Sequence, residues 1–348
     1  MSTDAATERV TLAEIADEAG VSLSTISKVL NGRADVAAAT RARVEHALAE
    51  RGYRRRGGAR SETRAELIEL VFHELDPIWS MEVIDGVESV AKQHGLSVVL
   101  TVSGTRHSPD PDWVEGVMRR RPVGVVLVFS DLAPEYREQL QARAIPFVIV
   151  DPAGDPSADA PSVGSANWSG GLAATRHLIE LGHRRIAAIT GPADMMCSLA
   201  RIDGYRSAMN SAGLPIDESW IRFGDFHVSG GRDRARELLD APDRPTAIFA
   251  GSDMQALGVL EAARERDIRV PEELSVVGYD DIPIAAWLTP KLTTVHQPLR
   301  RMGEEAARLA IRLADSPLDA GAPTPRMDLA TSLVVRESTA PPREAVVR

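Results

Sequence analysis

Two short amphipathic segments separated by one glycine, VTLAEIADEAGVSLSTISKVLN at Val10–Asn31, constrain this chain more than any other stretch. Leu12, Ile15, Ala16 and Ala19 fall at i, i+3, i+4 and i+7, the single buried stripe of a short helix. Gly20 breaks that helix where the chain needs an unusual dihedral. Ser22 follows as an N-cap, its hydroxyl placed to accept from the free amides of the next turn. The second helix turns Ile26, Val29 and Leu30 inward and leaves Leu23, Ser24, Ser27 and Lys28 on its other face. A helix with an apolar back and a short polar front fits the major groove and reaches base edges. An ordinary helical hairpin is the competing reading.

Charge is distributed in the same sense. The chain of 348 residues has a net charge of -10, but residues 1–60 hold ten Lys/Arg against eight Asp/Glu, a net of +2. Half of those cations are Arg51, Arg54, Arg55, Arg56 and Arg60. A basic head on an acidic body suits a nucleic-acid-binding module on a larger domain, although a solvated basic linker would look the same. The single cysteine, Cys197, excludes an intramolecular disulfide and a cysteine-based zinc site, and a cytosolic protein is expected. The polar start MSTDAATERV is no signal peptide, and no apolar run approaches the length of a membrane span.

After an Asn31-Gly32 turn, Thr40 to Gly52 reads as a third helix, and the arginine- and glycine-rich segment 53–64 as a boundary. Apolar strands then alternate with helices. Strands are expected at 67–72, 96–102, 124–129, 146–151, 185–190, 246–251 and 274–281. Helices are expected at 81–94, 113–120, 134–143, 168–181, 202–212, 230–239 and 253–266. This alternation implies parallel sheets covered on both faces. The expected fold is α/β: a small all-α head followed by two doubly wound lobes joined near 160–165, with ligand bound beyond the strands' carboxyl ends. The segment 331–338 reads as one last strand and the final residues as loose.

At this point the segments resemble the lac repressor family of transcriptional regulators. The head VTLAEIADEAGVSLSTISKVLNG with TRARVEHALAERGY carries the resemblance. In the body it continues through RHLIELGHRRIAAITGP, ARIDGYRSAM, SDMQALGVL, VPEELSVVGYDDIP and LTTVHQPLRRMG, in family order over nearly the whole chain. The resemblance implies a homodimer on a palindromic operator in double-stranded DNA, one head per half-site, and a body like periplasmic sugar-binding proteins. A small effector in the cleft would change the lobe angle and so the spacing of the heads. The implied divisions are a helix-turn-helix domain at 1–53, a basic hinge at 54–65 and an effector-binding and dimerisation domain at 66–340. Within the last, the N-lobe is about 66–163 plus 295–325 and the C-lobe about 164–294 plus 326–340. No cofactor and no metal are implied.

Carried over residue by residue, Leu23, Ser24 and Lys28 match base-reading positions. Thr11, Ser22, Thr25, Ser27, Asn31 and Tyr53 match positions that contact phosphate or set register. Capping alone competes for Ser22. In the cleft, Arg201 matches a ligand-contacting arginine whose guanidinium can bridge adjacent sugar hydroxyls, and Asp280 a carboxylate accepting from hydroxyls. Ser252 stands where the family often has asparagine, and Asp253 beside it is a candidate helix cap. Phe226 and Trp79 are candidate stacking platforms. Ser130, His73 and Asp151 end strands facing the same cleft. Trp113, Trp168 and Trp287 read equally as core or interface, and Asp281 and His183 as structural.

The linker departs from the family. Arg55 replaces a proline, Glu62 takes the place of the leucine that wedges into the minor groove, and Gly57 and Gly58 disfavour the hinge helix by about 1 kcal/mol each. Arg54, Arg55 and Arg56 are therefore expected to hold DNA through phosphate or narrow-groove contact. Ala37 replaces the family's serine cap on the third helix. No dinucleotide fingerprint, phosphate-binding loop or nucleophile elbow is present, so an enzyme is not expected. A repressor released by a sugar is the favoured reading. A regulator of the same architecture responding to a purine or other metabolite remains the alternative, with a solute-binding protein outside the class.

Overall fold

The computed structural model describes residues 12–30, 36–50, 64–75, 78–104, 109–128, 132–151, 160–318 and 322–343. The chain divides into two compact units, Met1–Thr63 and Arg64–Arg348.

The first unit holds α1 (Leu12–Ala19), α2 (Leu23–Leu30) and α3 (Ala38–Glu50). Ile15, Ala16, Ala19, Ile26, Val29, Val44 and Ala47 form its core. Gly20 has φ +62°, and the turn closes by Val21 N donating to Ala16 O at 3.0 Å. The third helix starts two residues before the expected Thr40, with Thr40 N and Arg41 N both donating to Ala37 O.

The second unit contains two sheets. Its elements run β1 (Leu67–Phe72), α4 (Trp79–Gln93), β2 (Ser97–Val102), α5 (Pro111–Arg120), β3 (Gly124–Val128), α6 (Pro134–Ala142), β4 (Phe147–Val150) and β5 (Ser162–Ser165). After the first crossover come α7 (Asn167–Glu180), β6 (Ile186–Thr190), α8 (Met196–Ser211), β7 (Ile221–Phe223), α9 (Val228–Leu239), β8 (Ala247–Ala250), α10 (Asp253–Arg264), β9 (Ser275–Asp280) and β10 (Thr293–His296). The chain returns through α11 (Leu299–Asp315) and β11 (Arg326–Leu329) and ends in β12 (Ser332–Val334). The first sheet has order β11-β5-β4-β3-β1-β2 and is parallel throughout. The second has order β12-β10-β9-β8-β6-β7 and is parallel except where β12 runs against β10. Three crossovers join the lobes, at Ala166, Gln297–Pro298 and 330–331. All three expected boundaries therefore move: β5 keeps the chain in the N-lobe to Ser165, β10 stays in the C-lobe past residue 295, and β11 belongs to the N-lobe, not to the segment 326–340 assigned to the C-lobe. Short strands at a hinge carry too little pattern to show which sheet they join.

The lobes are held by buried apolar strands flanked by helices, with a few buried polar devices. Glu69 on β1 is fully buried. Its carboxylate accepts from Trp113 Nε1 at 3.1 Å, Thr101 Oγ1 at 2.9 Å and Arg120 Nε at 2.8 Å, with a second bond from Arg120 Nη2. Burying a carboxylate is tolerable only with such complete pairing. The end of the chain is not loose as far as it is described. Val276 N donates to Ser338 O, Ser338 Oγ donates to Val276 O, and the His183 ring sits between Thr246 Oγ1, Ser275 Oγ and Ala340 O at 2.9–3.0 Å. Burial lowers the His183 pKa, because a charged ring there would be stripped of water.

Candidate functional site

The strands' carboxyl ends meet in a cleft between the lobes. It has a cavity volume of about 100 Å³, room for several water-sized groups at the 10–15 Å³ or so that one water takes by this measure. The N-lobe supplies Phe72, His73 and Glu74 from the end of β1, and Trp79 and Ser80 from the start of α4. The C-lobe supplies Met195 at the cap of α8, Arg201 within that helix, the loop Asp225–Phe226–His227, Ser252, Met254 and Asp280.

Arg201 is at the floor and only 2% exposed. It lies within α8, which begins at Met196, six residues before the expected Ile202, so helix geometry positions it. Nε donates to Asn167 Oδ1 at 2.9 Å, Nη1 to Gly251 O, and Nη2 to Gln297 Oε1 at 3.1 Å. These bonds use three of the guanidinium's five N–H groups, leaving one on each terminal nitrogen. The Asp280 carboxylate is 4.0 Å from Nη1, and the guanidinium lies over the Tyr279 ring, 3.7 Å from its centroid, and 5.5 Å from that of Phe226. Charge and cation–π attraction together fix its plane. Asn167 opens α7 directly after the first crossover and Gln297 lies on the second, so the buried cation is bonded directly to the hinge. Asp280 adopts φ +105°, a region non-glycine residues avoid, at the strand end where its carboxylate enters the cleft.

The helix contact carrying Arg201 is set by glycine. A Cβ on Gly171 would lie 2.1 Å from Arg201 O, and one on Gly204 2.2 Å from Trp168 O. Helices α7 and α8 thus approach backbone to backbone.

Of the other residues expected in the cleft, His73, Trp79, Phe226 and Ser252 line it. Trp79 is only 8% exposed. The Ser252 hydroxyl is engaged as the cap of α10, accepting from Gln255 N at 3.0 Å, and donates to Phe226 O at 2.9 Å, so it positions the aromatic wall. Asp253 is not the cap. Its carboxylate turns inward, accepting from Ile282 N at 2.9 Å and Thr294 Oγ1 at 2.5 Å, and burial pushes its pKa up to about 7. Asp281 pairs with Arg336 at 2.6 Å and with His296 at 3.3 Å. Asp151 is not on this cavity's wall. It lies behind Arg201, accepting from Asn167 Nδ2 at 3.3 Å and Gln297 Nε2 at 3.5 Å. Burial raises its pKa and the Arg201 guanidinium opposes that rise. Trp113 is core, whereas Trp168 and Trp287 are 46% and 78% exposed. Ser130 lies outside the described residues.

Sequence reasoning missed Glu74, Asp225 and His227. Glu74 Oε1 is 3.3 Å from Nε2 of both His73 in its own lobe and His227 in the other, so it spans the cleft mouth. The signal for Asp225 and His227 was the end of β7, a strand of three residues too short to stand out.

In the head, Ser22 Oγ accepts from Thr25 N at 3.2 Å and lies 2.7 Å from Ser24 Oγ. Leu23, Ser24 and Lys28 are exposed on the face of α2 opposite Ile26 and Val29, with Thr25 half-buried. Thr11, Asn31, Tyr53, Arg54, Arg55 and Arg56 lie outside the described residues, as does the Ser27 side chain.

Residues 11–56 match the family model for bacterial regulatory proteins of the lacI family, and residues 175–339 that for a periplasmic binding protein-like domain. The ribose operon repressor of Escherichia coli (strain K12) is 37% identical over 312 residues, 88% of this chain and 94% of that protein. The chain belongs to the lacI family of transcriptional regulators. Among solved structures, a complex of the transcriptional regulator CelR with cellobiose has a TM-score of 0.70 at 35% identity, covering 95% of this chain and all of the other. The lac repressor dimer bound to operator and an anti-inducer has a TM-score of 0.68 at 27% identity, covering 96% of this chain and all of the other. As a lacI-family chain it carries both functional halves, the helix-turn-helix head and the two-lobed body. Among the described residues no helix is long and apolar enough to cross a membrane.

Proposed function

We propose that this chain is a homodimeric repressor that binds a two-fold operator through its heads and releases it when a neutral sugar occupies the interlobe cleft. The observation that carries the reading is the cleft floor. A buried guanidinium with two N–H groups to offer stands beside the Asp280 carboxylate, under the Phe226 wall and bonded to two hinge crossovers. Donor, acceptor and flat apolar wall are what a ring of hydroxyls and C–H groups requires. Asp225, Glu74 and Asp280 line the cavity, with Arg201 beside Asp280 and Glu74 held by His73 and His227, so a phosphorylated effector meets three carboxylates. The sugar named with CelR and the ribose repressor's name are in keeping with this class.

On the head, Leu23, Ser24 and Lys28 read bases, with Leu23 suited to a thymine methyl and Lys28 to a guanine acceptor, while Ser22 and Thr25 fix register. Ser27, with Thr11, Asn31, Tyr53, Arg54, Arg55 and Arg56, adds backbone contacts. The body offers apolar surface for a second copy: Leu100 and Val102 on edge strand β2, Met81 on α4, and Trp287 are 42%, 51%, 55% and 78% exposed. Acting on chromosomal DNA, the protein works in the cytoplasm. A thermal-shift screen of mono- and oligosaccharides tests the effector class. A sugar at 100 times its dissociation constant stabilises the body by about 2.7 kcal/mol. Stabilisation by purines or phosphosugars with none by neutral sugars refutes it.

A further inference from the structure

The turn that follows β9 serves both lobes. Asp280 ends the strand with its carboxylate in the cleft, 4.0 Å from Arg201 Nη1. Two residues later Ile282 is buried and belongs to the N-lobe's hydrophobic cluster, together with Trp79, Leu299 and Met302. One short turn of the C-lobe thus carries a cleft-facing group at its start and an apolar plug in the other lobe at its end. Its backbone does not favour that shape. Asp280 and Asp281 have φ of +105° and +57°, successive positive values that non-glycine residues avoid. Such a conformation persists only where the surroundings over-determine it.

Asp253, the first residue of α10, supplies the buried hold. Its Oδ2 accepts from Ile282 N at 2.9 Å and its Oδ1 from Thr294 Oγ1 of β10 at 2.5 Å. Gly278 of β9, paired with Thr294, leaves the carboxylate its room: a Cβ there would lie 2.3 Å from Asp253 Oδ1. Asp253 is fully buried and, unlike Glu69, makes no ion pair among the described residues. A carboxylate buried on those terms is costly, and removing it would strand the Ile282 amide. Met254, the next residue, packs against the same N-lobe cluster as Ile282. We propose that Asp253 is the positioning residue of the cleft: it holds the turn so that the Asp280 carboxylate faces Arg201 while Ile282 stays seated in the N-lobe. Contact with an effector at Asp280 is thereby tied to the orientation of the lobes. Asp253 does not itself line the cavity. The inference deepens the effector role proposed for the cleft and rests on it, whereas the hold on the turn is testable without a ligand.

The test measures hydrogen exchange in peptides spanning 279–284 and calorimetric titration of the full chain with cellobiose, D-ribose and D-glucose. Asp253→Ala should speed exchange in those peptides and weaken binding of the sugar that wild type takes by about tenfold or more. Asp253→Asn, whose side-chain oxygen still accepts from Ile282 N, should recover most of that loss. Val259→Ala, a cavity in the buried face of the same helix, should lower the unfolding midpoint and leave both readouts as in wild type. Thr294→Val, which keeps the shape of threonine and removes its hydroxyl, covers the case in which the alanine variant fails to fold. It should speed the same exchange and weaken binding about threefold. The proposal is overturned if Asp253→Ala, or Thr294→Val where the former is unfolded, exchanges at 279–284 like wild type or binds the sugar as tightly. It is also overturned if Val259→Ala reproduces both effects at an equal loss of stability. If wild type binds none of the three sugars, the effector reading fails, and exchange at 279–284 alone then supports or overturns the hold on the turn.

Discussion

Replacing Arg201 separates what its charge contributes from what its shape contributes. Arg201→Met removes three hydrogen bonds, to Asn167, Gly251 O and Gln297, together with the stack on Tyr279, and leaves the Asp280 and Asp151 carboxylates buried without their cation. Hydrogen bonds from a charged donor contribute about 1.5–3 kcal/mol each, and a desolvated cation–π contact about 2 kcal/mol. The cost of desolvating the guanidinium offsets much of that total. The measured loss should therefore match the roughly 3–5 kcal/mol seen when one partner of a buried ion pair is removed. Arg201→Lys keeps the charge but not the planar fork, and should lose about half as much stability while still failing to bind sugar. The loss has a pH signature. Arg201 opposes the burial-driven rise in the Asp151 pKa. Without it that carboxyl takes up its proton at higher pH, so Arg201→Met is penalised more at pH 8 than at pH 5. Calorimetric unfolding of the full chain at both pH values, with sugar titration at the higher one, measures all of this. A methionine variant within 0.5 kcal/mol of wild type at pH 8, or one with undiminished sugar affinity, refutes the role assigned to Arg201.

Gly171→Ala places a methyl 2.1 Å from Arg201 O and should force α7 and α8 apart, costing about 1–3 kcal/mol and weakening sugar binding without touching the cleft; an unchanged dissociation constant would show that the helix contact does not position Arg201. His183 is buried and its pKa is depressed, so the unfolded chain binds its proton first and stability falls as pH drops below about 6.5. His183→Gln should remove that part of the pH dependence of the unfolding midpoint between pH 7 and pH 5.5, and an identical pH profile would count against it. Replacing Arg54, Arg55 and Arg56 together with alanine should reduce the slope of log affinity against log salt by about 0.9 for each phosphate no longer neutralised. Filter binding over a salt series would expose an unaltered slope.

The long elements were legible because their patterns are strong. Runs such as Val125–Val128 and Ile186–Ile189 are apolar throughout, as strands buried on both faces must be. The three-residue β7 and the four-residue β5, β10 and β11 were not separable from loops, since a period of two needs more positions to declare itself, whereas β12 falls inside the strand expected at 331–338. Those short strands decide where the crossovers fall, which is why the lobe boundaries shifted. In the cleft, the resemblance led to Arg201 and Asp280, the first within α8 and the second at the end of β9. It did not lead to Asn167 and Gln297, because their part comes from meeting one side chain across three segments, and no local pattern records that. The inward turn of Asp253 was hidden for the same reason: Ser252 beside it took the cap, and the partners Ile282 and Thr294 are distant in sequence.

The most direct test of the whole account joins both halves of the chain. A symmetrical operator is selected from random DNA with the purified full-length protein, and its binding is followed by fluorescence anisotropy as neutral sugars are added. One sugar should release the DNA from wild type and fail to release it from Asp280→Asn, whose affinity for operator alone is unchanged. Release of DNA by that sugar from Asp280→Asn as readily as from wild type, or operator binding indifferent to every neutral sugar that stabilises the body, would contradict it.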